Sequence, residues 1–394
     1  MRVLSIATLF PAPARPAFGR FVANQMRAVA ARGDVAIEIV NPIGLPPWPL
    51  TLRQPARDLA ATPAQSELGG IAVHHPRFTA IPVIGGDGNP ARIARAILPL
   101  VRRLHAERPF DVVDAQFFFP DGPAAALVAR ALALPLTIKA RGSDIHYWGH
   151  RPRALAQMLA AARQAAGMLA VSAALRADMA ALGMPDERIA VHYTGLDRDR
   201  FHPSGQMAAR AALAEALAIP GDGALFVTPG TLTAIKGQAL AIEALRQLPG
   251  AHLALAGTGP DEAALRALAA APDLATRVHF LGQVSHEVLP RLLSAADAVV
   301  LPSEREGLAK AWVEALACGA PLVIPDIGGA REVVRDRSAG IIAARTPEAI
   351  AAALRELLAA PPPREAVAAN AARFSWDSNA AELTAFWRKV AGRD

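Results

Sequence analysis

A chain of 394 residues is long for one domain and ample for two. Hydrophobic residues make up 53% and charged residues 19%, which predicts a large buried core and argues against disorder. The net charge of +6 is uneven, with 23 Lys/Arg against 15 Asp/Glu in residues 1–200 and 18 against 20 in residues 201–394. The basic half suggests an anionic partner, yet no helix-turn-helix, finger or stacking-aromatic motif supports nucleic acid.

Val3–Leu9 reads as a strand that breaks into prolines, too short for a signal-peptide core. A helix over Arg20–Ala31 and a strand over Ala36–Val40 follow. Pro42–Pro63 is a long proline-rich loop carrying Trp48, and long loops in compact domains are often functional. His74-His75 reads as a strand end rather than a metal pair. Asn89–Glu107 has helical periodicity, with Asn89 as cap, Pro90 at the first position and a kink expected at Pro99. Arg92, Arg95, Arg102 and Arg103 fall near one face. Such a helix can lie on anionic lipid, and a solvated face is the alternative. Val112–Gln116, Leu136–Lys139, Met168–Val171 and Ile189–Tyr193 continue as strands, with a helix over Pro152–Ala166.

Thr194–Pro203 is charged, turn-rich and closed by proline, as a seam would be. The alternation then restarts with strands at Leu225–Pro229, Leu253–Ala256, Val278–Leu281, Ala298–Leu301 and Leu322–Ile324. Repeated strand–helix alternation predicts parallel sheets with helices on both faces, and two series predict two such domains, 1–200 and 201–373. After the break at Pro361–Pro363, Phe374–Val390 is helical and aromatic, and residues 374–394 are expected to pack back on the first domain. No apolar run reaches the roughly 18 residues of a membrane span. The single Cys318 allows no internal disulfide, and a cytoplasmic setting is expected.

The chemistry concentrates in Ala298–Gly319. A buried strand ends near Leu301, a short loop follows, and a helix is expected from about Leu308 to Ala317, stopped by Gly319. Ligands of parallel α/β sheets bind at the carboxyl ends of strands, and a helix start there offers free N–H groups to a phosphate. Gly307 permits close backbone approach. Glu306 and Glu314 are eight apart, and each carboxylate can accept hydrogen bonds from vicinal hydroxyls. The layout suits a ligand with sugars and phosphates, although the bare spacing is common by chance.

With its flanks, the segment resembles the E-x7-E signature of retaining glycosyltransferases of family 4. Other marks lie in order. Phe18-Gly-Arg-Phe21 resembles the first loop and helix, Arg141-Gly-Ser-Asp144 the H-G-x-D site, and Thr194-Gly-Leu-Asp197 the interdomain N-G-V-D turn. Gly230–Gly237 resembles the G-R-L-x-x-x-K-G loop. Ala256-Gly-Thr-Gly-Pro260, Phe280-Leu-Gly-Gln-Val284 and Ile327-Gly-Gly-Ala330 also match. The resemblance implies the GT-B fold, two Rossmann-like doubly wound domains facing across a cleft, with the first domain on the acceptor side and the second on the donor side. It implies transfer from a nucleotide-diphosphate sugar to a glycan or lipid-linked acceptor, as in cell-surface polysaccharide or glycolipid synthesis.

The resemblance also assigns roles. Glu306 would contact the donor sugar, Gly307 and Leu308 would offer N–H groups, and Glu314 would hold the ribose. Lys236 would neutralise the diphosphate, with Gly230 and Thr231 in the same loop. Gly19 would let the first loop approach it, and the region of Gln283 and Val284 would meet the base. Asp144 would lie on the acceptor side. Fixed cations and dipoles stabilise a leaving group strongly, so neither metal nor other cofactor is required. Three positions depart from the pattern. Thr231 stands where an arginine is common, leaving more charge to Lys236. Arg141 replaces a histidine and, unable to act as a base, would hold phosphate or orient the acceptor. Lys310 stands where an uncharged residue is common and would be a second phosphate contact.

Other motifs fail on context. Gly257-Thr-Gly-Pro260 has Glu262 at the third glycine position of a dinucleotide fingerprint, and Lys236 lacks the Gly-Lys-Ser/Thr of a nucleoside-triphosphate loop. Asp197-Arg-Asp199 spells a metal-binding D-x-D but falls in the seam, where a turn or cap is expected. A sugar-nucleotide epimerase or a phosphorylase would share the fold, and a two-lobed non-enzymatic sugar-binding protein is the remaining alternative.

Overall fold

The computed structural model describes residues 1–81, 86–217, 219, 221–285 and 287–393. The chain divides into two units, Met1–Gly195 with Trp376–Asp394, and Leu196–Ser375. The division falls at Gly195/Leu196, where the sequence suggested 200/201.

Unit 1 is built on an eight-stranded sheet. Its parallel strands, in chain order, are Arg2–Ile6, Ala36–Val40, Ile71–His74, Val112–Ala115, Leu136–Ala140, Gly167–Ala170 and Ile189–Val191. In space they run 3-2-1-4-5-6-7, with Gln65–Leu68 antiparallel at the edge beside Ile71–His74. Val112–Ala115, Leu136–Ala140 and Gly167–Ala170 are buried at every position, as strands covered on both faces must be. Helix Arg20–Ala31 buries Val22, Met26 and Val29, spaced to share one face. Helix Trp376–Val390 buries Ala380, Leu383 and Trp387 in the same core.

Unit 2 holds six parallel strands: Leu225–Pro229, His252–Ala256, Val278–Gly282, Ala298–Val300, Leu322–Ile324 and Gly340–Ile342. Their spatial order is 3-2-1-4-5-6, the doubly wound Rossmann arrangement. In each unit the winding reverses between strands 1 and 4, and a crevice opens beyond their carboxyl ends.

Several local expectations change. Helix Lys310–Ala317 starts at Lys310 rather than Leu308, because Gly307 O is engaged by Gly329 N at 2.8 Å. Gly319, at φ +78°, terminates it as expected. Asn89 is the first helical residue and not the cap, which is Gly88. The Asn89 side chain instead accepts from Arg92 Nη1 at 3.0 Å. The helix continues past an exposed Pro99 to Glu107. Pro42–Pro63 is not structureless. Within it, Ile43–Leu45 pairs with Arg77–Thr79, and Leu50–Leu52 and Ala56–Ala60 are helical turns. Asp197 Oδ1 accepts Arg200 N, the turn role expected of it. His74 ends its strand and pairs with Glu38 at 2.7 Å.

Candidate functional site

In unit 2, two loops leave the sheet at the crevice, one after Pro229 and one after Val300. The first passes close to a third loop: a Cβ on Gly257 would lie 1.9 Å from Gly230 O, and Gly230 itself sits at φ +133°. Both positions therefore require glycine. Gln238 Nε2 ties the first loop to itself through Thr231 O at 2.9 Å. Glu304 N donates to Ile235 O at 2.7 Å and joins the first loop to the second. This joint brings Lys236 Nζ to 2.5 Å from Glu306 Oε1.

Glu314 lies in the second turn of helix Lys310–Ala317 and is only 7% exposed. Its Oε1 is 2.9 Å from Lys310 Nζ, one helical turn earlier. Glu314 shares a cavity of about 460 Å³ with Gly230, Thr231, Gly257, Gln283 and Val284. Gly307 is buried and Leu308 half-buried. Among the described residues, no main-chain carbonyl receives the N–H of either. Among the described residues, no three His, Cys, Asp or Glu side chains gather as a metal site.

Unit 1 brings a second group together at its own crevice. Gly19 caps helix Arg20–Ala31 at φ +64°, where a Cβ would lie 2.4 Å from Leu9 O. Thr8, in the same loop, donates its N–H and hydroxyl to Asp121 at 2.9 and 2.6 Å. Arg141 follows strand Leu136–Ala140. Its Nε donates to Gln116 O at 2.8 Å, and its Nη2 to Gln116 Oε1 at 2.5 Å and Gln25 Oε1 at 2.9 Å. Burial pulls its pKa down to about 10, opposed by the carboxylates of Asp144, Asp114 and Asp121, so it stays charged at neutral pH.

Asp144 has no exposed surface. Its carboxylate accepts the N–H groups of Phe118, Arg141, Gly142 and Ile145 at 2.7 to 3.2 Å. Burial raises its pKa and these bonds oppose the rise. Its oxygens are engaged by backbone donors, and it shapes the loop that carries Arg141.

Sequence reasoning passed over the residues beneath Arg141. Gln25 donates to Asn379 Oδ1 at 2.8 Å, and Lys139 Nζ lies 2.7 Å from His192 Nδ1. Burial drives the pKa of Lys139 and of His192 well down. The signal available was a polar residue on an apolar stripe: Gln25 between Val22 and Val29, Asn379 beside Ala380, Lys139 within Leu136–Ala140.

Residues 18–200 match the model of Glycosyltransferase Family 4, and residues 209–374 match that of Glycosyl transferases group 1. The chain is a family 4 glycosyltransferase with the GT-B fold. This glycosyltransferase is 28% identical over 361 residues to TuaC of Bacillus subtilis, named as a glycosyltransferase of teichuronic acid biosynthesis, covering 90% of this chain and 88% of that one. It is 36% identical over 216 residues to the D-inositol 3-phosphate glycosyltransferase of Mycobacterium avium, covering 52% of this chain and 50% of that one. In fold it resembles Anabaena HepE solved with UDP, at a TM-score of 0.75 and 20% identity over 99% of this chain and all of that one. Sucrose-phosphate synthase from Thermosynechococcus elongatus superposes at a TM-score of 0.78 with 18% identity, covering both chains fully.

Proposed function

We propose that this glycosyltransferase moves a sugar from a nucleotide-diphosphate sugar to a glycan or lipid-linked acceptor with retention of anomeric configuration. The observation that carries the reading is the grouping of Glu314, the Gly230–Thr231 loop and the Lys236–Glu306 pair at the carboxyl ends of strands 1 and 4 of unit 2. HepE, solved with UDP and with UDP-glucose, supports a uridine donor as the first to try. The name of TuaC supports a cell-surface polysaccharide pathway.

Glu314 accepts the ribose hydroxyls, and Lys310, already bound to it, holds the carboxylate in place and adds positive charge toward the diphosphate. Gln283 and Val284 meet the base. Glu306 accepts from donor-sugar hydroxyls, with the N–H groups of Gly307 and Leu308 directed to sugar or phosphate. The bond between the anomeric carbon and the diphosphate oxygen breaks, and its electron pair leaves with the diphosphate. Lys236 stabilises that charge, with Gly230 and Thr231 allowing close approach of backbone. The acceptor hydroxyl oxygen bonds to the anomeric carbon and its proton passes to the departing diphosphate oxygen. Arg141 only donates hydrogen bonds, so it orients an acceptor hydroxyl or phosphate. With a fixed cation at the leaving group the reading needs no metal, and unchanged turnover in EDTA is its expected signature.

The protein works on the cytoplasmic side, touching anionic lipid through unit 1. Arg95, Arg102 and Arg103 are exposed on helix Asn89–Glu107, and Trp48 and Leu52 protrude at 80% and 66% exposure beside exposed Arg53. No helix among the described residues is long and apolar enough to cross a membrane.

The test is a thermal-shift screen with uridine, guanosine and adenosine diphosphates and their sugars, followed by turnover of the stabilising donor. A product with the donor's anomeric configuration, lost in Glu306→Ala, is expected. Turnover that survives Glu306→Ala unchanged would sink the reading. A stoichiometric epimer formed without acceptor would favour an epimerase.

A further inference from the structure

Arg141 is held by side chains that trace back, by two separate routes, to the C-terminal helix. A guanidinium carries donors only, so every side chain it bonds must present an acceptor. Gln25 and Gln116 therefore both turn their amide oxygens to Arg141 Nη2, and each amide nitrogen must point away. Gln25 Nε2 donates to Asn379 Oδ1 at 2.8 Å. With that oxygen used, Asn379 Nδ2 donates onward to Tyr193 O at 2.5 Å. Gln116 Nε2 donates to Asp114 Oδ2, and Asp114 Oδ1 accepts Trp387 Nε1 at 3.1 Å and Thr137 Oγ1 at 2.7 Å. No amide in either route can flip without setting donor against donor, so the hydrogen bonds admit one direction.

Both routes end on helix Trp376–Val390, at Asn379 and Trp387. Asn379 is 3% exposed, and Gln25 and Gln116 at most 1%. Burying four amide and carboxylate groups is costly where apolar side chains would pack as well, so packing alone does not account for them. What distinguishes the assembly is its outlet. Arg141 is half-buried, and among the described residues its Nη1 has no partner. The guanidinium is fixed by hydrogen bonds at its Nε and Nη2 and lies 4.9 Å over the Phe21 ring, which leaves the Nη1 edge for a ligand.

We propose that Asn379 and Trp387 are positioning residues that aim the Arg141 guanidinium through Gln25 and Gln116. The C-terminal helix is thereby part of the functional apparatus of unit 1, in addition to covering its core. This rests on the reading of Arg141 as the acceptor-orienting cation. A guanidinium held on one edge loses little freedom when its other edge meets a ligand, which is the value of preorganisation.

The test is the Arg141 Nε–H resonance in nitrogen-15 spectra of the full chain, assigned by its disappearance in Arg141→Lys. In Asn379→Leu and, separately, in Gln25→Met, the resonance is expected to move and its exchange with water to quicken by about threefold or more. Gln25→Met leaves the C-terminal helix intact, so it answers even if Asn379→Leu fails to fold. A resonance that stays in place with exchange within about twofold of wild type in folded Gln25→Met or Asn379→Leu overturns the proposal. UDP-glucose turnover by Arg141→Lys judges the underlying reading separately. Full turnover there would remove the role of Arg141 while leaving its positioning as measured.

Discussion

Lys236 Nζ stands 2.5 Å from Glu306 Oε1, joining the loops that follow strands 1 and 4 of unit 2. The two side chains are 29% and 14% exposed, so the pair is partly desolvated and stays open to a ligand. An anionic diphosphate entering here meets a cation already anchored, and a sugar hydroxyl meets a carboxylate already oriented. Lys236→Met and Glu306→Gln are each expected to lower kcat by roughly 10²–10³, the usual effect of removing one preorganised charge-stabilising group. Lys236→Met should also weaken binding of the nucleoside diphosphate product. Steady-state kinetics with the stabilising donor decide this, and a kcat within twofold of wild type in either variant would contradict the assigned role.

Asp144 is expected to be structural. Asp144→Ala leaves four main-chain donors without their acceptor, at a cost of about 3–5 kcal/mol. Asp144→Asn keeps one acceptor oxygen and should cost less. Denaturant unfolding of both variants, followed by a probe in unit 1, measures the difference. An Asp144→Ala protein as stable as wild type would mean that the loop does not depend on the carboxylate.

Asp121 supplies a pH signature. Burial pushes its carboxyl pKa up to about 7, against 3.8 for the free side chain, with the Asp144 charge adding to the rise and the Thr8 bonds and Arg141 opposing it. The folded state therefore holds this proton more tightly than the unfolded state. Its contribution to stability is fully present below about pH 4 and is lost as pH rises through about 7, by at most roughly 4 kcal/mol. Asp121→Asn removes that slope. Melting temperatures at pH 5 and pH 8 should converge in the variant relative to wild type, and equal slopes in both proteins would contradict the assignment.

Much of unit 2 was legible because its signals are local. The buried strand before Leu301, Gly307, and the carboxylates of Glu306 and Glu314 lie within 17 residues of sequence, and a strand–loop–helix turn fixes their relation. The start of that helix was misjudged by two residues because a main-chain bond from Gly329 holds Gly307 outside it. Strand Gln65–Leu68 went unseen because an edge strand alternating exposed and half-buried carries no hydrophobic run. The support of Arg141 was out of reach for a different reason. Gln25 and Asn379 are 354 positions apart, and nothing local links them. Only the return of the C-terminal helix to unit 1 makes them neighbours.

The membrane reading has its own test. Wild-type protein should co-sediment with vesicles containing anionic phospholipid at low salt and release as ionic strength rises. Trp48→Ala with Leu52→Ala should reduce binding by about a hundredfold or more without affecting turnover of a soluble acceptor, since each exposed apolar side chain contributes about 1.5–3 kcal/mol when buried in the interface. Absence of binding at low salt would remove this reading and leave the transfer chemistry untouched.

The central claim is that Glu314 and its cavity bind the nucleoside part of the donor. Titration calorimetry with uridine, guanosine and adenosine diphosphates, on wild type and Glu314→Ala, tests it most directly. The account predicts one-to-one binding of at least one diphosphate by wild type and an affinity lower by about 10- to 150-fold in Glu314→Ala, the loss of charge-assisted hydrogen bonds worth about 1.5–3 kcal/mol. Equal affinity in the two proteins, or no binding of any diphosphate by folded wild type, would contradict it.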